Sequence, residues 1–476
     1  MLKALKHTPW PVLLLVVSFL CPTELSVYVG SARLPPHRAL LLLLLPWALI
    51  ALFGHSRVKP RLFDVAFLAF AIWTVIVYIY HHGQADGLQT GGALALDSFG
   101  SFLVARAFVR DERAFAGTAM SLVVAVAVAG LAALPETLLG QAFIHDFLRK
   151  VTGYVHPVGI EKRLGLTRAY GLFDHPIHLG TFCAGNLALA VYAARRGGDA
   201  ALRAFVIVGS ALTSLSSAPM LSLAVQFGLI GFERATRGIK GRVPLAVVFI
   251  VVLFGAISLV ATRSPFALIA TGLTLDSWTG YYRLMIWEHG LWNVWWNPWM
   301  GIGLNDWVRP QWMASPTVDA FWLVIAMKGG IPSFLLLAAG IVFVGHGVNA
   351  GMRRTGPETR SLATGWMVSL VALSLVGCTV HYWNVPFAYF FFFLGLGGCL
   401  ADPLRRTVVS ATPTVPARPV KRVRWIAPAP APWPSGAAPG IVGGPAGAPW
   451  HAGPPRWPVP VVAGASPLVR RRTGSL

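Results

Sequence analysis

Two arginines and one aspartate are the residues of this chain best suited to chemistry. Arg168 lies in the glycine-containing stretch 163–180, Arg283 lies in the tryptophan-rich stretch 278–322, and Asp319 lies near the end of that second stretch. A guanidinium fork binds a phosphate or diphosphate through paired hydrogen bonds and keeps its charge at any physiological pH. A carboxylate can take a proton from an acceptor hydroxyl. The residue types therefore predict a phosphate-binding role for both arginines and a general-base role for Asp319.

Each of these residues also has a structural interpretation. Arg283 could contact a lipid headgroup or pair with Glu288 or Asp276. Asp319 stands where an apolar segment begins, and a carboxylate at that position stabilises a helix as a cap or in its first turn. Both interpretations stay open at the level of sequence.

Histidines 175 and 178 follow Asp174 closely, a grouping that raises the question of a metal. Pro176 interrupts the regular helical spacing that two such ligands would need. We therefore expect histidines that are hydrogen-bonded within the fold, and neither a metal nor a cofactor. His175 is kept as a candidate contact for glycan or lipid.

Half of the 18 tryptophans fall within residues 278–322. Tryptophan prefers the membrane interface, so one interpretation is a segment that lies on the outer surface of a bilayer. The other is a set of aromatic faces that stack on sugar rings or support a lipid chain. Arg283 shares a helix face with Trp287, and the candidates for glycan or lipid contact are Trp287, Trp292 and Trp322.

The elements that must position these residues are apolar helices. The chain has 476 residues, of which 55% are hydrophobic and 12% charged, a composition that favours many membrane spans over one soluble core. We predict an all-α, polytopic integral membrane protein with about twelve transmembrane helices, the first retained and not cleaved as a signal peptide. The predicted segments are 10–29, 38–54, 62–80, 93–110, 115–134, 177–194, 201–217, 219–232, 243–262, 318–345, 361–380 and 385–401.

Charge in the short connections predicts the orientation. Lysine and arginine cluster in alternate loops and are missing from 81–92 and 381–384, so both termini are expected in the cytoplasm. The two long loops, 135–176 and 263–317, then lie outside it. The net charge of +21 is explained by these topogenic clusters and a basic tail, and nucleic-acid binding is not expected.

The domain organisation follows from a change in composition after residue 402. Residues 403–476 hold 16 of the 35 prolines, and we predict a disordered cytoplasmic tail there. Residues 1–402 form the predicted transmembrane domain.

Across residues 10–400 the chain resembles the O-antigen ligase and O-antigen polymerase superfamily. The resemblance lies in the order and spacing of three stretches in a twelve-helix frame. These are Arg168–Pro176, Arg283–Trp287 followed by Asn297–Gly303, and Asp319–Leu323 leading to Gly329–Pro332.

The resemblance implies a bacterial inner-membrane glycosyltransferase that takes a glycan from undecaprenyl pyrophosphate at the periplasmic face, with inversion and without a metal. It carries pyrophosphate binding onto Arg168 and Arg283, and it implies a chain-length regulator and an upstream flippase as partners. One departure matters. Family ligases have a histidine followed by Asn, Ser or Gln where this chain has Val318 and Asp319.

We therefore expect a polymerase of lipid-linked oligosaccharide repeats for exopolysaccharide, capsule or O-antigen. The alternative is a ligase that transfers the glycan to lipid A core. A second alternative is a transporter or flippase, which usually needs ionisable residues within its helices. The predicted helix interiors are almost free of charge, which argues against it.

Overall fold

The computed structural model describes residues 5–54, 60–154, 159–239, 277–313 and 315–402. Helices dominate this part of the chain, with short π-helical turns at Ile50–Gly54 and Leu96–Gly100. In chain order the helices are α1 (Trp10–Ser18), α2 (Pro36–Leu49), α3 (Leu62–Ala95), α4 (Ser101–Phe108), α5 (Glu112–Leu139), α6 (Phe143–Thr152), α7 (Pro176–Ala184), α8 (Leu187–Tyr192), α9 (Gly197–Leu212), α10 (Ser217–Ala235), α11 (Ser277–Trp296), α12 (Phe321–Met352), α13 (Pro357–Val376) and α14 (Val385–Ala401).

Within the described residues, 4 helical segments are long and apolar enough to cross a membrane: Leu62–Phe108, Glu112–Leu139, Phe321–Met352 and Pro357–Val376. Pro36–Leu52 and Val385–Ala401 are shorter apolar helices. The prediction of a mostly helical fold with helices long and apolar enough to span a membrane is confirmed, and the count of twelve spans stays a prediction. The predicted helix 243–262 and the tail 403–476 lie outside the described residues.

The first predicted span, 10–29, is wrong in its second half. Helix α1 ends at Ser18, and a 3₁₀ turn at Thr23–Leu25 leads into an antiparallel pair of strands, β1 (Val27–Val29) and β2 (Ala32–Leu34). Pro22 explains the break, because proline lacks an N–H and disfavours helix in the residue before it. A second short hairpin, β3 (Lys162–Arg163) with β4 (Leu166–Thr167), is a further departure from an all-α fold.

The predicted loop 81–92 is mostly helix. Helix α3 reverses at Gly83, whose φ of +77° is a conformation that glycine adopts without strain. The second half of α3 then packs back on the first so closely that a Cβ at Gly87 would lie 2.5 Å from the Cα of Ile79. The chain therefore reverses its direction at one glycine, where the sequence predicts a loop.

The predicted outer loop 135–176 also contains regular structure. Helix α5 continues through Pro135 to Leu139, and α6 and the hairpin β3–β4 follow. The predicted helix 177–194 divides into α7 and α8 around Gly185 and Asn186. Helix α14 has the bounds 385–401 predicted for it. A short connection separates α9 from α10 as predicted, but it lies at 213–216 and not at 218.

Helix α12 is broken at Gly330, where φ is +75° and a Cβ would lie 2.0 Å from the carbonyl oxygen of Trp299. The break frees backbone carbonyls, which must find donors when they are buried in a membrane protein. The donors come from the chain after α11 and from α3: Ile302 N–H binds Met327 O (2.8 Å), Gly303 N–H binds Lys328 O (3.0 Å) and Trp73 Nε1–H binds Gly329 O (2.9 Å).

The core surrounds α14, whose residues from Val385 to Leu400 are all buried. A helix that is apolar on every side suits this central position. Charged groups near the ends of α4 are paired: Arg106 bonds to Asp64 (3.1 Å) and Asp402 (2.6 Å), and Arg38 bonds to Asp97. These pairs explain how a helix flanked by Asp97 and Arg106 is accommodated.

Candidate functional site

Arg168 lies on the segment between β4 and α7, and the side chain of Glu136 on α5 fixes that segment. The Glu136 carboxylate accepts hydrogen bonds from Tyr170 N–H (3.0 Å) and Gly171 N–H (2.8 Å). Gly171 has a φ of +60° and packs against Ala133, so a larger residue there would be strained. The C-terminal part of α5 therefore fixes the backbone next to Arg168.

The guanidinium of Arg168 is buried, with only 4% of the residue exposed. It donates to Ser216 Oγ (3.0 Å) and to the carboxylate of Glu161, whose side chain is 60% exposed. Its Nε has no partner among the described residues. An incoming anion would therefore compete with one carboxylate, that of Glu161, whose side chain is largely exposed to solvent.

Arg283 lies on α11 and is 9% exposed. Its guanidinium makes no hydrogen bond or ion pair with the described residues, and its Nε is buried without a partner. Burial lowers the pKa of Arg283, the charge of Asp319 opposes that shift, and the positive charge of Arg168 adds to it. A buried cation without a bonded partner is costly, so this side chain is poised to accept an anion. The predicted pairing with Glu288 is not seen, and Asp276 lies outside the described residues.

Asp319 lies just before the N-cap of α12, which is Ala320, and its side chain does not cap the helix. The first-turn N–H groups bind carbonyls of the segment after α13 instead: Phe321 N–H binds Val380 O (3.0 Å) and Trp322 N–H binds Gly377 O (3.4 Å). The capping interpretation is therefore wrong. Burial raises the pKa of Asp319, and the charge of Arg283 opposes that rise.

The three predicted residues come from three segments of the chain and are linked electrostatically. Arg283 interacts electrostatically with both Arg168 and Asp319. Asp319 also lines a cavity of about 500 Å³, whose wall includes Lys328, His381, Trp307 and Trp383. The arrangement combines two cations for an anionic group with a carboxylate that faces a space large enough for sugar rings.

The candidate tryptophans differ in their surroundings. Trp287 Nε1–H binds Cys378 O (2.8 Å) and Trp322 Nε1–H binds Ser374 O (2.8 Å), so both fix α11 and α12 to the end of α13. Trp292 is 55% exposed on α11, beside Trp296. The described contacts of Trp287 and Trp322 are structural, and glycan or lipid contact by these three residues stays a prediction.

His175 is the N-cap of α7, and its Nδ1 accepts a hydrogen bond from Ile177 N–H (3.1 Å). Its ring also packs near Trp383, with centroids 5.9 Å apart. Asp174 bonds to Thr23 and Asn384. No group of three metal-ligating side chains occurs among the residues that the structure describes. These contacts agree with the structural interpretation of His175.

Sequence reasoning missed Lys328, His381 and the positioning role of Glu136. Lys328 was passed over because it lies inside an apolar helix that reads as a simple span. Lys328 directly precedes Gly329 and Gly330, and Pro332 follows two residues later. This pattern indicates a broken helix, and a charged residue beside such a break indicates a functional role. Glu136 gave no local signal, because its hydrogen-bond partners are backbone groups distant in sequence.

Known proteins offer no direct guide to this site. The chain matches no protein-family model, and no curated protein matches it. What the chain does must therefore be argued from the geometry of the described residues.

Proposed function

We propose that this chain is a polymerase of the bacterial inner membrane that joins lipid-linked oligosaccharide repeats at the periplasmic face, in exopolysaccharide, capsule or O-antigen biosynthesis. The observation that carries the proposal is that Arg283 interacts electrostatically with both Arg168 and Asp319, and that Asp319 lines a cavity of about 500 Å³. Two buried guanidinium groups suit a diphosphate, and the carboxylate suits a hydroxyl nucleophile. The resemblance to the O-antigen ligase and polymerase superfamily supports the same assignment.

In the proposed reaction the acceptor hydroxyl oxygen attacks the anomeric carbon of the donor sugar. The bond between that carbon and the diphosphate oxygen breaks, and the electron pair leaves with undecaprenyl diphosphate. The hydroxyl proton passes to the carboxylate of Asp319. Attack from the side opposite the leaving group inverts the anomeric centre.

Arg168 and Arg283 have the same task throughout this reaction: they hold negative charge on the leaving diphosphate. Fixed cations in a site with little water stabilise developing charge without reorganisation. Their charge does not depend on a metal ion, and the proposed mechanism uses neither a metal nor a cofactor.

The proposed setting is a twelve-span protein with both termini in the cytoplasm. The basic short loops support this orientation, which puts the segments that carry Arg168 and Arg283 outside the cytoplasm. A lipid-linked donor would then reach the site from the outer leaflet. A flippase that supplies the repeats and a chain-length regulator are the partners that such a reaction needs.

A polymerase is favoured over a ligase by the residues at the third site. Where family ligases have a histidine, this chain has Val318, followed by Asp319. We assign the acceptor-activating role to the carboxylate, and the acceptor is then the terminal sugar of another repeat in place of lipid A core.

A transporter is the second candidate, and specific observations favour it. Arg38 and Asp97 form an ion pair that is largely buried, Lys328 lines two cavities, and α12 is broken at Gly330. Charges and broken helices within the membrane are typical of transporters. Against this candidate, the cavity lined by Asp319 is also lined by the exposed Asp306, so the proposed site reaches the protein surface.

The glycans of a deletion strain test the proposal. A polymerase defect leaves single repeats on the lipid carrier and no long chains. Long chains stranded on the carrier would identify a ligase, and repeats confined to the inner leaflet would identify a flippase. Either of these outcomes would contradict the proposed polymerase.

A further inference from the structure

Lys328 is a cation that the proposed reaction does not use. It lies on the first half of α12, two residues before the break at Gly330, and lines both the 500 Å³ cavity that contains Asp319 and a neighbouring cavity of about 200 Å³. Its ammonium makes no hydrogen bond or ion pair with the residues that the structure describes. Lys328 is therefore a cation in the wall of two cavities without a bonded partner among the described residues.

The backbone around Lys328 is held firmly. Its own carbonyl accepts from Gly303 N–H (3.0 Å), and the carbonyl of Met327 accepts from Ile302 N–H (2.8 Å). On the other side of the break, Ile331 N–H binds Pro298 O (2.7 Å). A cation on so well-fixed a support is preorganised, which reduces the entropy lost when a ligand binds.

Nearby groups do not neutralise Lys328. His381, which lines the same two cavities, has its pKa lowered to about 3 by burial and by the charge of Lys328, so it is neutral at pH 7. The two aspartates of the larger cavity interact with other cations, Asp306 with Arg309 (2.6 Å) and Asp319 with Arg283. Asp97, which lines the smaller cavity, forms an ion pair with Arg38. The cavity thus contains one ammonium whose counter-charge must come from a ligand.

We infer that Lys328 binds a carboxylate on the acceptor glycan, so that the repeat this protein polymerises contains an acidic sugar. This inference rests on the proposed function. Trp383 and Trp307 line the same cavity and offer aromatic faces of the kind that stack on sugar rings. A cation beside aromatic walls recognises an acidic sugar better than a neutral one, because a neutral ring leaves the ammonium without a partner.

The carboxylate site is distinct from the diphosphate site. Lys328 and His381 line the larger cavity, whereas Arg168 and Arg283 are not part of its wall. Asp319 lines the cavity together with Lys328 and interacts with Arg283. The acceptor hydroxyl would thus lie between two sites. Lys328 binds the carboxylate of the acceptor glycan, and the two arginines bind the diphosphate of the donor.

Calorimetric titration of the purified full-length protein in detergent tests this inference. The probes are tetragalacturonate, its methyl ester and geranylgeranyl diphosphate. The variants are Lys328→Gln, Lys328→Arg and Lys162→Gln, which changes an exposed lysine of β3 as a matched control. Thermal unfolding of each variant reports on folding, and Lys328→Gln should be no less stable than the wild type because it removes an uncompensated cation.

Tetragalacturonate is expected to bind, with a Kd about 10- to 100-fold higher for Lys328→Gln, as for the loss of a charged hydrogen bond. Lys328→Arg and Lys162→Gln should keep binding, and the methyl ester should bind as weakly as tetragalacturonate binds to Lys328→Gln. Equal binding of acid and ester, or an unchanged Kd for Lys328→Gln, would overturn the inference.

Geranylgeranyl diphosphate separates a sugar carboxylate from a lipid diphosphate as the ligand of Lys328. Its binding should survive Lys328→Gln and be weakened about 10- to 100-fold in Arg283→Ala. If Lys328→Gln abolishes diphosphate binding, Lys328 belongs to the lipid diphosphate site and the inference fails. If Arg283→Ala binds the diphosphate normally, it is the proposed function that fails.

Discussion

Arg283 on α11 interacts electrostatically with Asp319, which lies before α12 in a different segment of the chain. The carboxylate does not bond to the guanidinium, and each retains bonding capacity for a ligand. Arg168, from a third segment, adds a second cation to this pair. The proposed function depends on the electrostatic interaction of these three side chains.

Replacement of either arginine by alanine should abolish chain growth. Arg168→Ala and Arg283→Ala each remove a fixed donor to the leaving diphosphate, and we expect a loss of about 100-fold or more in transfer rate. The measurement is polymer length on a gel together with the level of inserted protein. Arg149→Ala, which changes an exposed arginine of α6, is the matched control and should leave polymer length unchanged. Full-length polymer in either site variant would remove the diphosphate assignment.

Asp319 should give the reaction an acid limb in its pH dependence. Only the ionised carboxylate can accept the acceptor proton, and burial raises the pKa of Asp319. The rate should therefore fall with decreasing pH at a pH above the usual range of an aspartate. Asp319→Asn should lose about 10²- to 10⁴-fold in rate and show no such limb. Normal chain growth with the amide would rule out the general-base role, and a pH profile of purified enzyme locates the limb.

The break in α12 should depend on Gly330. Gly330→Ala puts a Cβ about where the carbonyl of Trp299 lies and forces a positive φ on alanine, so we expect a loss of about 2 kcal/mol or more in stability. Gly345→Ala in the same helix meets no atom within 4 Å and should be neutral or stabilising. Thermal unfolding in detergent compares the two. Equal melting temperatures would mean that the break is not needed.

Apolar length and basic loops predict most helices of this chain, because a membrane span is specified by composition over about 20 residues. The sequence does not predict the reversal at Gly83 or the break at Gly330, since the first is accompanied by close backbone packing at Gly87 and the second by close packing at Gly330 itself. It also predicts one long helix where Pro22 ends α1 early. A prediction from composition gives little weight to any one residue. The differences between prediction and structure, however, arise at single residues.

The site could be predicted in part. Arg168, Arg283 and Asp319 were identified by residue type and by resemblance, and the structure brings them together. Their supports could not be predicted, because the bonds of Glu136 to the backbone near Arg168 and of Trp287 to Cys378 join residues far apart in sequence. Lys328 was passed over because the apolar run around it predicts a simple span, although Gly329, Gly330 and Pro332 signal the break.

Glu136 should act as a positioning residue for Arg168. Glu136→Ala leaves two buried N–H groups without acceptors, at a cost of about 1–3 kcal/mol each, and should lower both the melting temperature and the transfer rate. Glu136→Gln keeps one acceptor oxygen and should rescue part of both losses. A rate that is unchanged in Glu136→Ala, despite lowered stability, would show that the segment does not need this anchor.

The central claim is that Arg168 and Arg283 hold one diphosphate together, and a double-mutant cycle for geranylgeranyl diphosphate binding tests it most directly. The account predicts that each alanine substitution raises the Kd about 10- to 100-fold, and that the double variant loses less than the product of the two single losses because one ligand group is shared. Losses that multiply independently, or a Kd that neither substitution changes, would contradict it.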